Sequence, residues 1–108
     1  KEYNTALIVV TEKELRKFNI ITGDSEGLVN YGLSISGMQL SVLIIDRTVA
    51  RKMSFRSKDK FPANEFARKF FNGGGHFNAA GGESNEPIDM VEAKFKDALK
   101  DYKNYLNI

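Results

Sequence analysis

NGGGHFNAAG, residues 72–81, is the most informative stretch of this sequence. Three consecutive glycines are costly, since glycine loses the most backbone freedom on folding, so they belong where a backbone turns sharply and approaches something closely. Their unobstructed amides suit an anion, and a helix beginning at His76 would add its N-terminal dipole. His76 is the only histidine, and it suits a phosphate oxygen or a response to pH. A flexible surface turn with an incidental histidine explains the same pattern equally well.

The segments around this stretch predict an α/β domain with a small mixed sheet and flanking helices, because strand and helix signals alternate along the chain. Residues Thr5 to Val10 are short, continuous and apolar, which predicts a buried strand. Residues 39–46 and 49–57 predict two further strands, and the short link between them indicates an antiparallel hairpin. In the second of these strands, Lys52, Ser54 and Arg56 share one face. The opposite face carries Arg51, Met53, Phe55 and Ser57.

Helix signals predict four helices, which start near Thr11, Asp24, Pro62 and Pro87. Thr11 and Glu14 form a T-x-x-E capping box, in which each side chain satisfies an orphan backbone donor of a helix that ends near Asn19. Asp24 or Ser25 is the expected N-cap of the second helix. The third and fourth helices open with prolines, which suit the first helical turn.

The apolar spacing of these helices predicts which of their faces are buried. In the second helix the buried face is expected to consist of Leu28, Tyr31, Gly32 and Ile35, with Gly37 as a left-handed C-cap. The third helix has an apolar stripe of Ala63, Phe66, Ala67 and Phe70. The last and longest helix has a stripe of Ile88, Val91, Phe95, Leu99, Tyr102 and Leu106.

Composition places the chain among globular proteins of one domain. It has 108 residues, of which 42% are hydrophobic and 28% charged, values near the globular average. The absence of cysteine excludes disulfides and thiolate metal sites and agrees with a cytoplasmic location. No apolar run approaches the ~20 residues of a membrane span. The net charge of +2 is too small for bulk nucleic-acid binding, so a phosphate would be bound locally.

Two further segments carry groups that could act on a ligand. Arg56 offers a planar charged fork that matches phosphate, and Ser54 faces the same way; an ordinary polar strand face is the alternative. Asp24 and Glu26 could form a paired-carboxylate site, although acidic residues at a helix N-terminus are the simpler interpretation. A dinuclear metal site needs several converging carboxylates and histidines. With one histidine and no D-H-H or H-x-x-H cluster, this chain offers no candidate set.

Three segments together resemble one family. GGGHFNAAG, residues 73–81, is similar to the GGGHxxAAG signature of the DHH-associated domain of DHH-family phosphoesterases. SFRSK, residues 54–58, resembles the S-x-R-S segment of that family, and DSEGLVN, residues 24–30, resembles the segment before it. They occur in the order and spacing of the family, and the resemblance covers nearly the whole chain. Within that family, the chain most resembles the branch that contains the oligoribonuclease/pAp phosphatases and the exopolyphosphatase-related proteins.

The resemblance implies a division of labour between two domains. Residues 1–108 would be the substrate-binding domain, and a DHH domain absent from this chain would hold two divalent metals, usually Mn²⁺. The chain itself would bind no cofactor and contain no catalytic residue. The expected phosphate-binding residues are Ser54, Arg56, Ser57, Gly73, Gly74, Gly75 and His76.

The resemblance also implies the substrate and partners. The parent enzyme would hydrolyse phosphoester bonds in oligoribonucleotides, pAp or cyclic dinucleotides, with a nucleotide or a short single-stranded oligonucleotide in the cleft between the two domains. The partners would then be that substrate and the missing DHH domain, with no membrane and with a homodimer left open. The alternative is a non-catalytic nucleic-acid-binding module attached to another enzyme, as in alanyl-tRNA synthetases.

Overall fold

Five strands form one mixed sheet in the computed structural model, which describes residues 3–17, 22–47 and 49–106. The strands are β1 (Thr5–Thr11), β2 (Leu40–Asp46), β3 (Arg51–Ser57), β4 (Gly74–His76) and β5 (Ala79–Ser84). Their order across the sheet is β1-β2-β3-β5-β4. The β1–β2 pair is parallel and the other pairs are antiparallel. The predicted α/β class, the mixed sheet and the β2–β3 hairpin are therefore confirmed.

Helices lie on both faces of this sheet. They are α1 (Glu12–Lys17), α2 (Thr22–Ser34), α3 (Ala63–Phe71), α4 (Ile88–Leu99) and α5 (Lys103–Leu106), with a 3₁₀ turn at Lys100–Tyr102. One face packs its alternate residues, such as Val42 and Phe55, into a core with α3 and α4. Phe55 lies edge-on to Phe66 of α3, with ring centroids 5.8 Å apart. On the other face, α2 packs against β1, β2 and β3. None of the described helices is long and apolar enough to cross a membrane.

The predicted capping box is confirmed at the start of α1. The Thr11 amide donates to Glu14 Oε1 at 2.8 Å, and the Glu14 amide donates to Thr11 Oγ1 at 3.0 Å. The predicted end of this helix near Asn19 lies outside the described residues. The strand β1 is present as predicted, but the prediction that it is buried is wrong: it is only partly buried because it forms an edge of the sheet.

Helix α2 differs from its prediction in both its start and its buried face. It begins at Thr22, so the prediction of an N-cap at Asp24 or Ser25 is wrong. Val29 is fully buried, whereas Tyr31 and Ile35 are 68% and 45% exposed, so the predicted buried face is wrong at those two positions. The helix rests on Gly32, where a Cβ would overlap Ser41 Oγ, and this close approach selects the face that meets the sheet.

The last helix was predicted to be the longest and to continue to Leu106, which is wrong: α4 ends at Leu99 and is followed by the 3₁₀ turn and α5. The other differences are smaller. Pro62 and Pro87 cap α3 and α4 instead of lying in their first turns. The predicted stripe of α3 is buried at Phe66, but Phe71 is buried in place of Phe70. Gly37 has the predicted left-handed conformation, with φ of 85°, but it lies in a turn beyond the end of α2.

Residues 73–81 form a β-hairpin, so the helix at His76 that would have added a dipole to the glycine amides does not form. His76 ends β4, Phe77 and Asn78 make the turn, and β5 follows. The physical reason is pairing between small residues. Gly74 lies opposite Gly81, and Gly75 lies opposite Ala80, which lets the two strands pack closely.

Candidate phosphate-binding face

The register of the sheet brings Arg56 and His76 into one row. Both are paired with Ala79, Arg56 from β3 and His76 from β4. Directly paired residues point to the same face of a sheet, so the two side chains stand on either side of Ala79. This face is opposite the one that carries Phe55, because side chains alternate along a strand.

A second row lies beside the first on the same face. It consists of Ser54, Gly81 and Gly74. A Cβ on Gly74 would meet nothing within 4 Å, and a Cβ on Gly81 would meet only the Met53 carbonyl oxygen, at 3.5 Å. The surface at Gly74 and Gly81, beside the row of Arg56, Ala79 and His76, is therefore flat and open. We call the surface formed by these two rows the open face.

Arg56 is held over the open face by two hydrogen bonds. Its Nη1 donates to the Phe55 carbonyl oxygen at 3.0 Å, and its Nη2 donates to Glu26 Oε2 at 3.1 Å. The Arg56 side chain is 20% exposed and that of Glu26 63%. A guanidinium has five N–H donors, so two bonds leave three for a ligand.

Glu26 therefore forms an ion pair with Arg56, which sequence reasoning did not find. The two residues are 30 positions apart, and neither the helical nor the strand pattern links them. The side chain of Asp24, the other half of the suggested carboxylate pair, lies outside what the structure describes.

Ser41 is a second residue that sequence reasoning missed. It is paired with Arg56 in the same row, and it is completely buried beneath Gly32. Its hydroxyl has no hydrogen-bond partner within the described part of the chain. No sequence signal distinguishes it from an ordinary strand serine.

Ser57, a predicted phosphate ligand, lies on the core face and is 5% exposed. Its hydroxyl donates to the Phe61 carbonyl oxygen at 2.9 Å and accepts from Asn78 Nδ2 at 2.9 Å. The Ser57 amide also donates to the Asn78 carbonyl oxygen at 3.0 Å, and the Ala63 amide donates to the Phe77 carbonyl oxygen at 2.7 Å. These contacts hold the β4–β5 turn against the end of β3 and the start of α3, and so fix His76 relative to Arg56.

The three predicted glycines have different surroundings. A Cβ on Gly73 would overlap the Gly81 carbonyl oxygen. Gly75 has φ of 141°, and a Cβ there would lie 2.9 Å from both Ala79 O and Ala80 Cα. Gly73 and Gly75 are thus required by the close packing of the hairpin, and Gly74 alone opens onto the exposed floor.

Of the seven predicted site residues, the structure brings four together on the open face: Ser54, Arg56, Gly74 and His76. His76 is exposed, and β4 lies at the edge of the sheet, next to β5. Within residues 3–17, 22–47 and 49–106, no three histidine, aspartate or glutamate side chains are grouped so that they could hold a metal ion. The open face can therefore offer hydrogen-bond donors and positive charge, which suit an anion.

Comparison with known proteins identifies a family and solved structures that are similar to this chain. A protein-family model described as the DHHA1 domain matches residues 4–107. An exopolyphosphatase-related protein from Bacteroides fragilis is 46% identical, with a TM-score of 0.90 over 99% of this chain. The chain spans 32% of the length of that protein. None of the curated proteins compared with the chain matches it.

Two more distant structures share the fold. RecJ from Thermus thermophilus in complex with Mn²⁺ is 18% identical with a TM-score of 0.61, and the match covers 95% of this chain and 14% of RecJ. The C-Ala domain of alanyl-tRNA synthetase from Aquifex aeolicus is 18% identical with a TM-score of 0.63. That match covers 94% of this chain and 89% of the C-Ala domain. At this identity the likeness concerns the fold alone.

Proposed function

Because this chain belongs to the DHHA1 domain family, we propose that it is the substrate-binding half of a metal-dependent phosphoesterase. The observation that carries the proposal is the row in which Arg56 and His76 flank Ala79, beside a floor without side chains at Gly74 and Gly81. The substrate would be a nucleotide or a short single-stranded oligonucleotide, with its phosphate lying on the open face.

Each group on the open face would have a distinct task. Arg56 would donate its remaining N–H groups to two phosphate oxygens, since a guanidinium fork matches phosphate geometry. His76 would donate a further hydrogen bond from the opposite side of Ala79. Ser54 would contribute its hydroxyl, and Gly74 would let the phosphate approach the backbone closely. These groups stabilise negative charge without transferring a proton.

The catalytic metal would belong to the other domain. The described residues offer no ligand set for the Mn²⁺ pair that the family resemblance implies, so the proposal places that pair in a DHH domain outside this chain. Bound there, such a pair supplies a hydroxide nucleophile near neutral pH. The tasks of this chain would be to bind and orient the phosphate. The cytoplasmic location stays a prediction from the sequence, and the proposal does not depend on whether the chain forms a homodimer.

The test is a titration of the ¹⁵N-labelled chain with adenosine 3′,5′-bisphosphate (pAp), followed by NMR, with adenosine as the ligand that lacks phosphate. We expect pAp, and not adenosine, to shift the amide signals of Gly74, Ala79 and Gly81. Arg56→Ala should weaken binding roughly tenfold or more, because charge-assisted hydrogen bonds contribute about 1.5–3 kcal/mol each.

Lys52→Ala is the matched control for this titration. Lys52 lies on the same strand and the same face, and its side chain is 61% exposed. Its loss removes one positive charge without touching the row of Arg56. If Lys52→Ala and Arg56→Ala weaken pAp binding equally, then binding depends only on the total positive charge of the face, and the proposed site is wrong.

One observation favours the alternative, a nucleic-acid-binding module attached to another enzyme. The fold match covers 89% of the C-Ala domain, so this fold also occurs in a separate domain of a synthetase. The 46% identity to the exopolyphosphatase-related protein favours the phosphoesterase. A filter-binding comparison separates them: a binding module should prefer long single-stranded RNA over pAp, and a substrate-binding half should bind a dinucleotide as well as it binds a longer chain.

A further inference from the structure

The contact between Glu26 and Arg56 joins a helix to the open face. Glu26 belongs to α2 and Arg56 to β3, and Arg56 Nη2 lies 3.1 Å from Glu26 Oε2. The other terminal nitrogen, Nη1, donates to the Phe55 carbonyl oxygen at 3.0 Å. Both terminal nitrogens of the guanidinium are thus restrained before any ligand arrives.

Restraint of this kind affects binding through entropy. A free arginine side chain samples many rotamers, and a ligand that immobilises it must offset that lost freedom. Here Glu26 and the Phe55 carbonyl hold the fork already, with three N–H groups left over. We infer that Glu26 is a positioning residue, which holds the Arg56 guanidinium in the orientation that binds phosphate. This inference rests on the proposed function of the open face.

The charge of Glu26 acts in the opposite direction, because a carboxylate beside the guanidinium lowers the attraction for an anion. Two observations indicate that the restraint of Arg56 outweighs the effect of the Glu26 charge. The Glu26 side chain is 63% exposed, so water and salt screen its charge. The Arg56 side chain is only 20% exposed, so its position depends on its partners. Removal of Glu26 should therefore weaken phosphate binding.

Variants of Glu26 separate restraint from charge. Glu26→Ala removes both the acceptor and the charge, whereas Glu26→Gln keeps an oxygen acceptor and removes only the charge. The matched control is Glu83→Ala. Glu83 pairs with Lys52 on the same face at 3.7 Å, with the Glu83 side chain 51% exposed, so its loss removes one negative charge away from Arg56.

The experiment is a pAp titration of the whole 108-residue chain, with ¹⁵N detection of the Arg56 side chain. We expect Glu26→Ala to raise the Kd for pAp by roughly three- to tenfold. Glu26→Gln and Glu83→Ala should leave the Kd within about twofold of wild type, or lower it. Before pAp is added, rotation of the Arg56 guanidinium should be faster in Glu26→Ala than in the other proteins.

The outcomes for the two proposals are distinct. If Arg56→Ala binds pAp as wild type does, the proposed function fails. If Arg56→Ala weakens binding while Glu26→Ala leaves it unchanged or tightens it, only the positioning role of Glu26 is wrong. Wild-type guanidinium rotation in ligand-free Glu26→Ala would also overturn that role, whatever the pAp titration gives.

Discussion

Gly74 and Gly75 are neighbours in β4, yet alanine substitutions at the two positions should have opposite consequences for stability. Gly75 has φ of 141°, and an added Cβ would lie 2.9 Å from Ala79 O and Ala80 Cα. Gly74 has no positive φ, and a Cβ there would meet nothing within 4 Å. The two variants add the same methyl group to adjacent positions of one strand, so each is the control for the other.

The expected magnitudes follow from these surroundings. Gly75→Ala combines backbone strain of about 1–3 kcal/mol with a backbone clash that costs a further ~1 kcal/mol or more, so we expect a loss of roughly 2–4 kcal/mol. Gly74→Ala should be neutral or stabilising by up to about 1 kcal/mol, because alanine has less freedom to lose on folding than glycine.

Urea unfolding at equilibrium measures the two changes in the free energy of unfolding. A loss of 2–4 kcal/mol also lowers the melting temperature by about 10 °C or more in a domain of this size. If Gly75→Ala is as stable as wild type, or if Gly74→Ala is equally destabilised, the assignment of the two glycines to a packed and an open side of β4 is wrong. Gly74→Ala should still weaken pAp binding, because its methyl group would stand on the floor beside Ser54.

Three other predictions concern pH and catalysis. Burial and a hydrogen bond to Glu65 raise the pKa of Tyr102 to about 12, so its stabilising contribution is complete below its ordinary pKa of about 10 and is lost as the pH rises through about 12. In urea unfolding, the free energy of unfolding of wild type minus that of Tyr102→Phe should therefore be constant up to about pH 10 and should decrease towards pH 12. A constant difference over the whole range would contradict this. Hydrogen bonds from the amide and hydroxyl of Thr11 lower the pKa of Glu14, so Glu14→Ala should be less stable than wild type near pH 7, and the difference should shrink as acid protonates the carboxylate below its ordinary pKa of 4.5. The isolated chain should not hydrolyse pAp or a short oligoribonucleotide with added Mn²⁺; turnover that copurifies with the chain and is lost in Arg56→Ala would refute this.

The sequence predicted the elements whose local pattern is strong. The alternation in β3 placed Lys52, Ser54 and Arg56 on one face correctly, because a strand buried on one side must separate polar from apolar residues. The T-x-x-E box located the start of α1 because both bonds form within one turn. The family was also predicted correctly, from the motif at residues 73–81 and its companions, since the DHHA1 model matches residues 4–107.

The features that sequence reasoning missed depend on long-range contacts. Gly74 and Gly75 have no side chains, so β4 has no alternation to detect, and only its pairing with β5 makes it a strand. The face of α2 was mispredicted because periodicity alone allows Tyr31 to point inward, whereas the absence of a side chain at Gly32 lets the helix settle on Ser41. The Glu26–Arg56 pair joins two elements, and no local pattern encodes it.

The hairpin changes how the open face would attract a phosphate. A helix starting at His76 would have supplied a dipole and several converging amides, but His76 ends a strand, and β-sheets have only small net dipoles. Positive potential on this face must therefore come chiefly from side chains, and Arg56 is the cation in the row that flanks Ala79. Its guanidinium is also a planar fork that matches phosphate, whereas an imidazole has no such fork. In the NMR titration, Arg56→Ala should thus weaken pAp binding more than His76→Ala.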